Sequence, residues 1–164
     1  MRIYIASDHG GFELKNALVA YLKENSKYEV EDCGADLFDA NDDYPEIIAR
    51  ATRKLSADAT AGLDSRAIVI GASGQGEAIV ANRFRGVRCA LYYGPASRAQ
   101  KDMSGRELDI ISSTREHNNA NALSLGARFI NVDEAKQVVQ KWLETGFSGE
   151  ERHARRIRQI DEVS

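Results

Sequence analysis

The sequence predicts a three-layer α/β fold, in which helices cover both faces of a five-stranded parallel sheet. Two observations lead to this prediction. Short apolar runs alternate with amphipathic stretches along the chain, which is the pattern of successive βαβ units. The 164 residues are also enough to build one hydrophobic core without disulfide bonds or metals, so residues 1–164 are interpreted as a single domain.

The first half of the chain supplies three strands and two helices. Strands are predicted at residues 2–6, 28–34 and 66–71, and helices at residues 11–25 and 44–59. Apolar side chains recur at helical spacing in the first helix and define its buried stripe, namely Phe12, Leu14, Leu18, Tyr21 and Leu22. Pro45 lies in the first turn of the second helix, where a backbone without an N–H group costs nothing.

The second half begins with the same alternation and then departs from it. A short helix is predicted at residues 76–84 and a strand at residues 87–94. Residues 95–115 are mostly polar, with weak helical periodicity around residues 106–111, and an ordered excursion of this kind is typical of a lid or an interface element. The remaining predicted elements are a short helix at 120–126, a fifth strand at 127–131, a helix at 132–146 begun by Asp133, and a charged helix at 148–164.

The composition argues against several classes of function. Lys and Arg total 22 while Asp and Glu total 25, a net charge of -3, so no basic surface for nucleic acid is expected. The N-terminal apolar run is too short for a signal peptide or a membrane span. Cys33 and Cys89 fit no metal-binding spacing and are expected to be buried free thiols, which suits a reducing compartment. A cytoplasmic protein without membrane or nucleic-acid partners is therefore expected.

The residues that follow the predicted strands are the first candidates for a functional site, because open parallel sheets bind ligands at the carboxyl ends of their strands. Asp8 and His9 follow the first strand, and the loop GASGQGEA at residues 71–78 follows the third. Asp8 could equally cap a helix, and His9 could be an exposed loop residue. Glu77 could simply stabilise its helix, because a negative charge near the N-terminus interacts favourably with the helix dipole. A phosphate cradle explains this loop poorly, because Glu77 would repel a phosphate.

Two further groups of polar residues lie later in the chain. Arg152 and Arg156 are four residues apart on the last helix, so they share one face and could clamp a phosphate. They could also belong to a solvated basic face that is balanced by neighbouring glutamates. His117 lies in a segment rich in asparagine, where it could act on a ligand or be an exposed residue at a helix end. Taken singly, each group leaves both interpretations open.

Together, these motifs resemble those of the ribose-5-phosphate isomerase type B proteins, a family that includes the galactose-6-phosphate isomerase subunits. The matching segments, in order, are SDHGGFELK, DYP, GASGQGEAIVANRFRGVRCA, HNNANALSLGAR and RHARRI. They span nearly the whole chain, except for residues 95–115, where this chain is longer than the family pattern. The resemblance implies a Rossmann-like fold and a homodimer or homotetramer with sites between subunits. It also implies that the charged C-terminal helix packs across the dimer.

The resemblance further implies a reaction and a base. Members of the family convert an aldose phosphate to its ketose through an enediolate, without metal or cofactor, by moving one proton between C2 and C1. One branch looks to use a cysteine directly after the third strand, a position that is Gly71 here, and the other uses the glutamate of an SGxGE motif. Residues 73–77 match the second motif, so Glu77 is the expected base. Backbone N–H groups of the loop, at Gly74 and Gly76, would bind the enediolate oxygens.

Other roles are implied by the same resemblance, residue by residue. His117 is the expected acid or base that opens the furanose ring, helped by Asp8, and Ser73 would hold a sugar oxygen or the enediolate. Asn118 would hydrogen-bond sugar hydroxyls. Basic side chains would bind the phosphate, namely His9, Arg128, Arg152 and Arg156. A helix N-terminus lowers the pKa of a carboxyl such as Glu77 whereas desolvation raises it, and the sequence leaves the balance open.

Ribose 5-phosphate is the expected substrate, and allose 6-phosphate, galactose 6-phosphate and a tetrose phosphate are alternatives, since residues 95–115 could reshape the pocket. Two other classes of function are a nucleotide-binding Rossmann module and a sugar-phosphate-binding subunit without catalysis. The first is disfavoured because the glycine-rich loop follows the third strand and not the first, where SDHGG lacks the G-x-G-x-x-G spacing, and because Glu77 would face the pyrophosphate. The second is disfavoured because a pure binding protein needs no base.

Overall fold

Five parallel strands form the central sheet of the computed structural model, which describes residues 1–102 and 105–163. They are β1 (Arg2–Ser7), β2 (Glu29–Asp32), β3 (Ser65–Gly71), β4 (Cys89–Tyr92) and β7 (Ala122–Gly126), in the spatial order β2, β1, β3, β7, β4. Two short strands, β5 (Gln100–Lys101) and β6 (Glu107–Leu108), form a separate antiparallel hairpin. The predicted five-stranded parallel sheet is confirmed.

Helices cover both faces of this sheet, so the three-layer prediction is also confirmed. They are α1 (Phe12–Lys23), α2 (Tyr44–Thr60), α3 (Gln75–Ala81), α4 (Ile110–Asn118), α5 (Val132–Glu144) and α6 (Glu151–Glu162). Helices α1 and α5 share one core cluster with α4, whereas α2 and α3 pack on the opposite face. Helix α6 contacts α4. Over residues 1–102 and 105–163, no helix is long and apolar enough to cross a bilayer.

The sheet is apolar on both faces, as expected for parallel strands covered by helices. Along β1, Ile3 and Ile5 point into the cluster formed with α1 and α5, while Tyr4 and Ala6 point into the cluster formed with α2. All four are nearly or completely buried. Burying a side chain the size of isoleucine contributes roughly 1.5–3 kcal/mol, so these two clusters hold the strands that carry the site.

The strand order creates a crevice at one edge of the sheet. Strand β1 pairs with β2 on one side and with β3 on the other. The connection from β1 to β2 therefore runs in one direction across the sheet, and the later connection to β3 runs in the opposite direction. The register aligns Ser7 with Ile70 and Gly71 with Gly126, which brings the carboxyl ends of β1, β3 and β7 to the same edge. Such a change of direction is where open α/β sheets bind ligands.

The prediction of a helix at 120–126 followed by a strand at 127–131 is wrong. Residues Ala122–Gly126 form β7, which lies buried between β3 and β4, and residues 127–130 form a turn. A short strand that is buried on both faces shows no alternation of polar and apolar residues, so periodicity does not separate it from a buried helix. The one polar side chain inside β7, Ser124, donates a 2.6 Å hydrogen bond to the carbonyl of Gly74.

The weak helical periodicity around residues 106–111 also predicts the wrong element. Residues 107–108 belong to the hairpin, and helix α4 begins only at Ile110, where the Asp109 side chain accepts a 2.8 Å hydrogen bond from Ser112 N–H. Two ion pairs tie this region to the helices, Arg106 with Glu116 at 3.0 Å and Lys141 with Asp109 at 2.7 Å. Met103 and Ser104, within the predicted excursion, lie outside the described residues.

Several details of the predicted helices and cysteines differ from the structure. In α1, Leu14, Leu18 and Leu22 are buried, but Phe12 and Tyr21 are half-buried. Helix α5 is capped by Asn131, whose side chain accepts from Glu134 N–H, rather than begun by Asp133. The predicted C-terminal helix has an intrachain partner, because α6 packs on α4 through the buried His153. Cys33 and Cys89 are free thiols, half-buried rather than buried.

Candidate functional site

Asp8, His9 and Glu77 converge at the carboxyl edge of the sheet. Strand β1 ends at Ser7, so Asp8 and His9 leave the sheet directly beside the end of β3. Glu77 lies in the first turn of α3, which follows β3 after a three-residue turn. The charge of Asp8 raises the pKa of the Glu77 carboxyl, so the two carboxyl groups lie close enough to interact.

The carboxylate of Glu77 occupies the space beside the Cα of Gly71. A methyl group added at Gly71 would lie 2.1 Å from Cδ and Oε1 of Glu77, so the buried carboxylate requires a glycine here. Glu77 is itself 5% exposed. A side chain at position 71 would therefore overlap with the carboxylate of residue 77. This agrees with the expectation that the two branches of the family use alternative bases at these positions.

Burial decides the electrostatic state of Glu77. Desolvation raises the pKa of its carboxyl, the charge of Asp8 raises it further, and the hydrogen bond from its own backbone N–H opposes the rise. The net pKa is above the ordinary value. Desolvation, which raises the pKa of Glu77, therefore outweighs the helix N-terminus, which lowers it.

The other loop glycines allow close backbone packing around Glu77. Gly74 has a φ of 75°, a left-handed conformation that favours glycine, and it caps α3. At Gly76, an added methyl group would lie 2.8 Å from the ring of Tyr44, which enters from the start of α2. Ser73 is half-buried, and its hydroxyl oxygen accepts a 3.3 Å hydrogen bond from Gln75 N–H. The predicted roles of Ser73, Gly74 and Gly76 toward a ligand stay predictions.

Asp8 is a buried carboxyl group that its own chain leaves partly unsatisfied. It is 7% exposed, and within the described structure its Oδ1 has no hydrogen-bond partner. Burial raises the pKa of Asp8 and the neighbouring charge of Asp42 adds to the rise, whereas His9 and hydrogen bonds from the backbone N–H groups of Gly10 and Gly11 oppose it. An orphaned carboxyl oxygen of this kind suits a ligand hydroxyl, while Asp8 also keeps the N-cap position of the helical turn His9–Gly11.

His9 is held by the carboxylate of Asp42, which is not among the predicted site residues. Its Nδ1 lies 2.6 Å from Oδ1 of Asp42. This hydrogen bond raises the pKa of His9, partial burial opposes the rise, and the charges of Asp8 and Arg128 act in opposite directions. Arg128 is placed beside His9 by the turn after β7, where its N–H donates a 3.0 Å hydrogen bond to the carbonyl of Ala72.

Asp8, His9 and Asp42 also form a group whose potential metal-ligand atoms lie within 4.8 Å of one another. The 2.6 Å separation of His9 Nδ1 and Asp42 Oδ1 is shorter than the roughly 3 Å expected between two ligands bound about 2.0–2.1 Å from one zinc ion. It is the distance of a charge-assisted hydrogen bond. The group is therefore better described as a hydrogen-bonded pair beside a lone carboxylate than as a metal centre.

A second cluster forms where α4 ends and α6 begins. The ring centroids of His117 and His153 are 4.5 Å apart, and His153 Nδ1 lies 3.0 Å from the hydroxyl of Ser148. His153 is 4% exposed. Burial lowers the pKa of His153, and the charges of His117, Arg152 and Arg156 lower it further while Glu150 opposes them. The predicted ring-opening histidine and the two predicted phosphate-binding arginines are thus neighbours.

This second cluster lies at the amino edge of the sheet, opposite to Glu77. The carbonyl of Asn118, next to His117, accepts a 3.1 Å hydrogen bond from Nε of Arg88, which directly precedes β4. Five residues of parallel strand separate the two edges by roughly 15 Å at about 3.3 Å a residue. A single chain therefore brings together Asp8, His9, Arg128 and the Glu77 loop, but it does not bring His117, Asn118, Arg152 and Arg156 to them.

Three residues in close contact with these clusters are not among the predicted site residues. Tyr44 and His153 lie inside the quoted DYP and RHARRI motifs, so the sequence holds a signal for them. Asp42 lies one residue before the DYP motif, and only the path of the loop after β2 shows that it reaches His9. Sequence separation explains the omission, since the two residues are 33 positions apart.

Comparison with known proteins places the whole chain in one family. The family model described as Ribose/Galactose Isomerase matches residues 3–160. A ribose-5-phosphate isomerase B of Mycolicibacterium paratuberculosis is 42% identical over 158 residues, which cover 96% of this chain and 87% of that protein. The putative sugar phosphate isomerase YwlF of Bacillus subtilis is 33% identical over 162 residues, covering 99% of this chain and 96% of that protein.

Solved structures show the same fold. The ribose-5-phosphate isomerase B of Mycoplasma genitalium with bound ribulose-5-phosphate superimposes with a TM-score of 0.81 at 33% identity, covering 99% of this chain and 95% of that chain. The ribose 5-phosphate isomerase of Thermotoga maritima superimposes with a TM-score of 0.78 at 37% identity, covering 98% of this chain and 97% of that chain.

Proposed function

Because the chain belongs to the ribose/galactose isomerase family, we propose that it interconverts ribose 5-phosphate and ribulose 5-phosphate. The observation that carries this proposal is the buried Glu77 carboxylate, seated over Gly71 at the carboxyl edge of the sheet with its pKa raised by burial. A base of this kind has no use in a nucleotide-binding module or a pure binding subunit. Residues 1–164 would act as one domain, and free Cys33 and Cys89 suit a reducing, cytoplasmic location.

In the proposed reaction, Glu77 removes the proton from C2 of the open-chain aldose and returns it to C1. The electron pair of the broken C–H bond forms the C1–C2 double bond of an enediolate, and negative charge develops on the former carbonyl oxygen, O1. The proton of the C2 hydroxyl passes to O1, and the C2 carbonyl forms as the electron pair of the double bond takes up the returned proton at C1. The Ser73 hydroxyl and the N–H groups of Gly74 and Gly76 would hydrogen-bond these oxygens. A raised pKa makes Glu77 a stronger base than an ordinary glutamate, which supports this role.

The remaining steps need residues from both edges of the sheet. Ring opening is assigned to His117 with Asp8, and sugar hydroxyls to Asn118, yet Asp8 lies at the carboxyl edge and the other two at the amino edge. We therefore propose a homodimer in which the α4–α6 cluster of one chain completes the carboxyl edge of the other. A tetramer would pair two such dimers.

Exposed apolar side chains lie where the second chain would pack. On α3, Ile79 is 67% exposed two residues after Glu77, and on α6, Ile160 is 49% exposed. In the proposed dimer, both side chains would be covered by the partner chain. The phosphate would then be bound between chains, by His9 and Arg128 of one and by Arg152 and Arg156 of the other.

The experiment that tests the proposed function compares ribose 5-phosphate and allose 6-phosphate with the purified protein. We expect kcat/KM to favour ribose 5-phosphate by roughly tenfold or more, the discrimination that one additional carbon unit in a fitted pocket allows. A preference for allose 6-phosphate would instead favour a six-carbon isomerase, with the hairpin of β5 and β6 as the first structural difference to examine. Activity on neither sugar phosphate would contradict the proposal.

Removal of divalent metal is expected to leave the rate unchanged, because Glu77 and the loop donors supply both the base and the enediolate stabilisation. The measurement is kcat/KM for ribose 5-phosphate before and after incubation with EDTA and passage through a metal-free column. The matched control is the same treatment followed by addition of magnesium or zinc. A loss of rate that a metal restores would contradict the metal-free mechanism.

A further inference from the structure

Asp42 holds both the backbone and the ring of His9 with a single carboxylate oxygen. Its Oδ1 accepts a 3.2 Å hydrogen bond from His9 N–H and lies 2.6 Å from His9 Nδ1. The Asp42 side chain is only 11% exposed, whereas the His9 side chain is 33% exposed. The histidine ring is therefore fixed from its buried side and open on the other.

The chemistry of the pair determines what the open side of the ring can do. A carboxylate only accepts hydrogen bonds, so the proton on the contact with Asp42 belongs to His9 Nδ1. In the neutral ring, Nε2 would then carry no hydrogen and would present a lone pair to an approaching ligand. In the protonated ring, Nε2 carries a hydrogen and donates. Only the cation of His9 suits the oxygens of a phosphate.

We propose that Asp42 is a positioning residue for substrate binding, which holds the His9 ring with its Nε2–H directed at the substrate phosphate and keeps that ring protonated. In this role Asp42 acts through His9 and needs no contact of its own with the sugar phosphate. The proposal rests on the proposed function, because it takes His9 as a phosphate ligand, and it adds to that function the residue that makes His9 a donor.

The other charged groups that face His9 fit this arrangement. The hydrogen bond to Asp42 is the largest influence raising the pKa of His9, and the charges of Asp8 and Asp42 add to it. Partial burial and the charge of Arg128 act in the opposite direction. The ring of Phe38 packs edge-on against the imidazole with its centroid 6.4 Å away and carries no charge. The two carboxylates therefore outweigh the one guanidinium.

The loop after β2 presents Asp42 on a well-defined path. Asp42 N–H donates a 3.1 Å hydrogen bond to the carbonyl of Asp39, and Tyr44, two residues on, begins α2 with its ring against Gly76. The same loop thus connects the His9 side of the site with the Glu77 side. A change of Asp42 to the isosteric asparagine keeps the size of the side chain and one acceptor oxygen for His9, while it removes the charge and replaces the unpartnered Oδ2 by an amide nitrogen.

The test is Asp42→Asn, measured by the KM and kcat for ribose 5-phosphate across pH and by NMR titration of the three histidines. We expect KM at neutral pH to rise roughly three- to tenfold, the size of a lost charge-assisted contact at a partly exposed site, with kcat nearly unchanged. The His9 titration should move to lower pH. The difference in KM should vanish at pH values where both proteins carry protonated His9, and widen as pH rises through the lowered pKa of the variant.

Two variants serve as comparisons. Asp36→Asn removes a charge from an exposed position of the same loop and should change neither KM nor the His9 titration. In a His9→Asn background, Asp42→Asn should have little further effect on KM, because the two residues act through one contact. A His9 titration and a KM profile in Asp42→Asn that match the wild type would overturn the proposal.

Failure of the proposed function would give a different result from failure of this inference. If the wild-type protein turned over no ribose 5-phosphate, the proposed function would fail while the His9 titration remained measurable. Inorganic phosphate then serves as the probe: it should shift the His9 resonances of the wild type, and the Asp42→Asn variant should require several-fold more phosphate for the same shift. Equal responses of the two proteins would overturn the role of Asp42 independently of turnover.

Discussion

Replacing Glu77 with glutamine is expected to lower kcat for ribose 5-phosphate by roughly a hundred- to ten-thousandfold, the usual contribution of a positioned general base. The amide is isosteric with the carboxylate, so the space beside Gly71 stays filled, but it does not accept the C2 proton. Binding of ribose 5-phosphate, measured by calorimetry on the variant, should remain near the wild-type value. This separates loss of the base from loss of the site.

The matched control for Glu77→Gln is Glu46→Gln. Glu46 also lies in the first turn of a helix, α2, but it is exposed and pairs with Arg53 at 2.9 Å. It loses the same charge near a helix N-terminus and should keep full activity. In the wild type, kcat/KM should begin to fall at a higher pH than an ordinary glutamate would give, because the raised pKa of Glu77 lets its carboxylate take up a proton at that higher pH. Near-normal kcat in Glu77→Gln would refute the base assignment.

Mixing two inactive variants is expected to restore activity when their changes lie at opposite edges of the sheet. A Glu77→Gln chain lacks the base, and a chain with Arg152→Ala and Arg156→Ala lacks the phosphate clamp. In a dimer of one chain of each kind, one site has both defects and the other site has neither. Random pairing of equal amounts should therefore recover about a quarter of the wild-type activity per chain.

The control mixture combines two changes at the same edge. Glu77→Gln mixed with His9→Ala should recover nothing, because Glu77 and His9 lie at the carboxyl edge of one chain and every site in the mixed dimer then has one defect. The measurement is the rate of the co-expressed mixture and of the mixed dimer isolated from it through two affinity tags, which should reach about half of the wild-type activity per chain in the first pairing and none in the control. Recovery in both mixtures, or in neither, would contradict a site shared between chains.

Much of the site follows from local sequence because its residues come directly after strands. Asp8 and His9 end β1, and the loop with Glu77 ends β3, so the rule that parallel strands bind ligands at their carboxyl ends is enough to group them. Strand β7 is the element that the sequence pattern predicts wrongly, as a helix. Its apolar residues are buried on both faces, so no periodicity distinguishes the strand from a helix, and its place between β3 and β4 depends on pairing with distant residues.

The sequence alone determined the fold class, because the alternation of apolar runs and amphipathic stretches is a property of neighbouring positions, and through its motifs it predicted a base and basic residues for a phosphate by resemblance to the family. The tertiary structure decided what depends on distance in space. It placed Asp42 against His9 across 33 residues, buried Glu77 over Gly71 so that desolvation raises its pKa, and set the His117 cluster at the opposite edge from Glu77. Desolvation and long-range contacts arise only when the chain packs, and no local pattern encodes them.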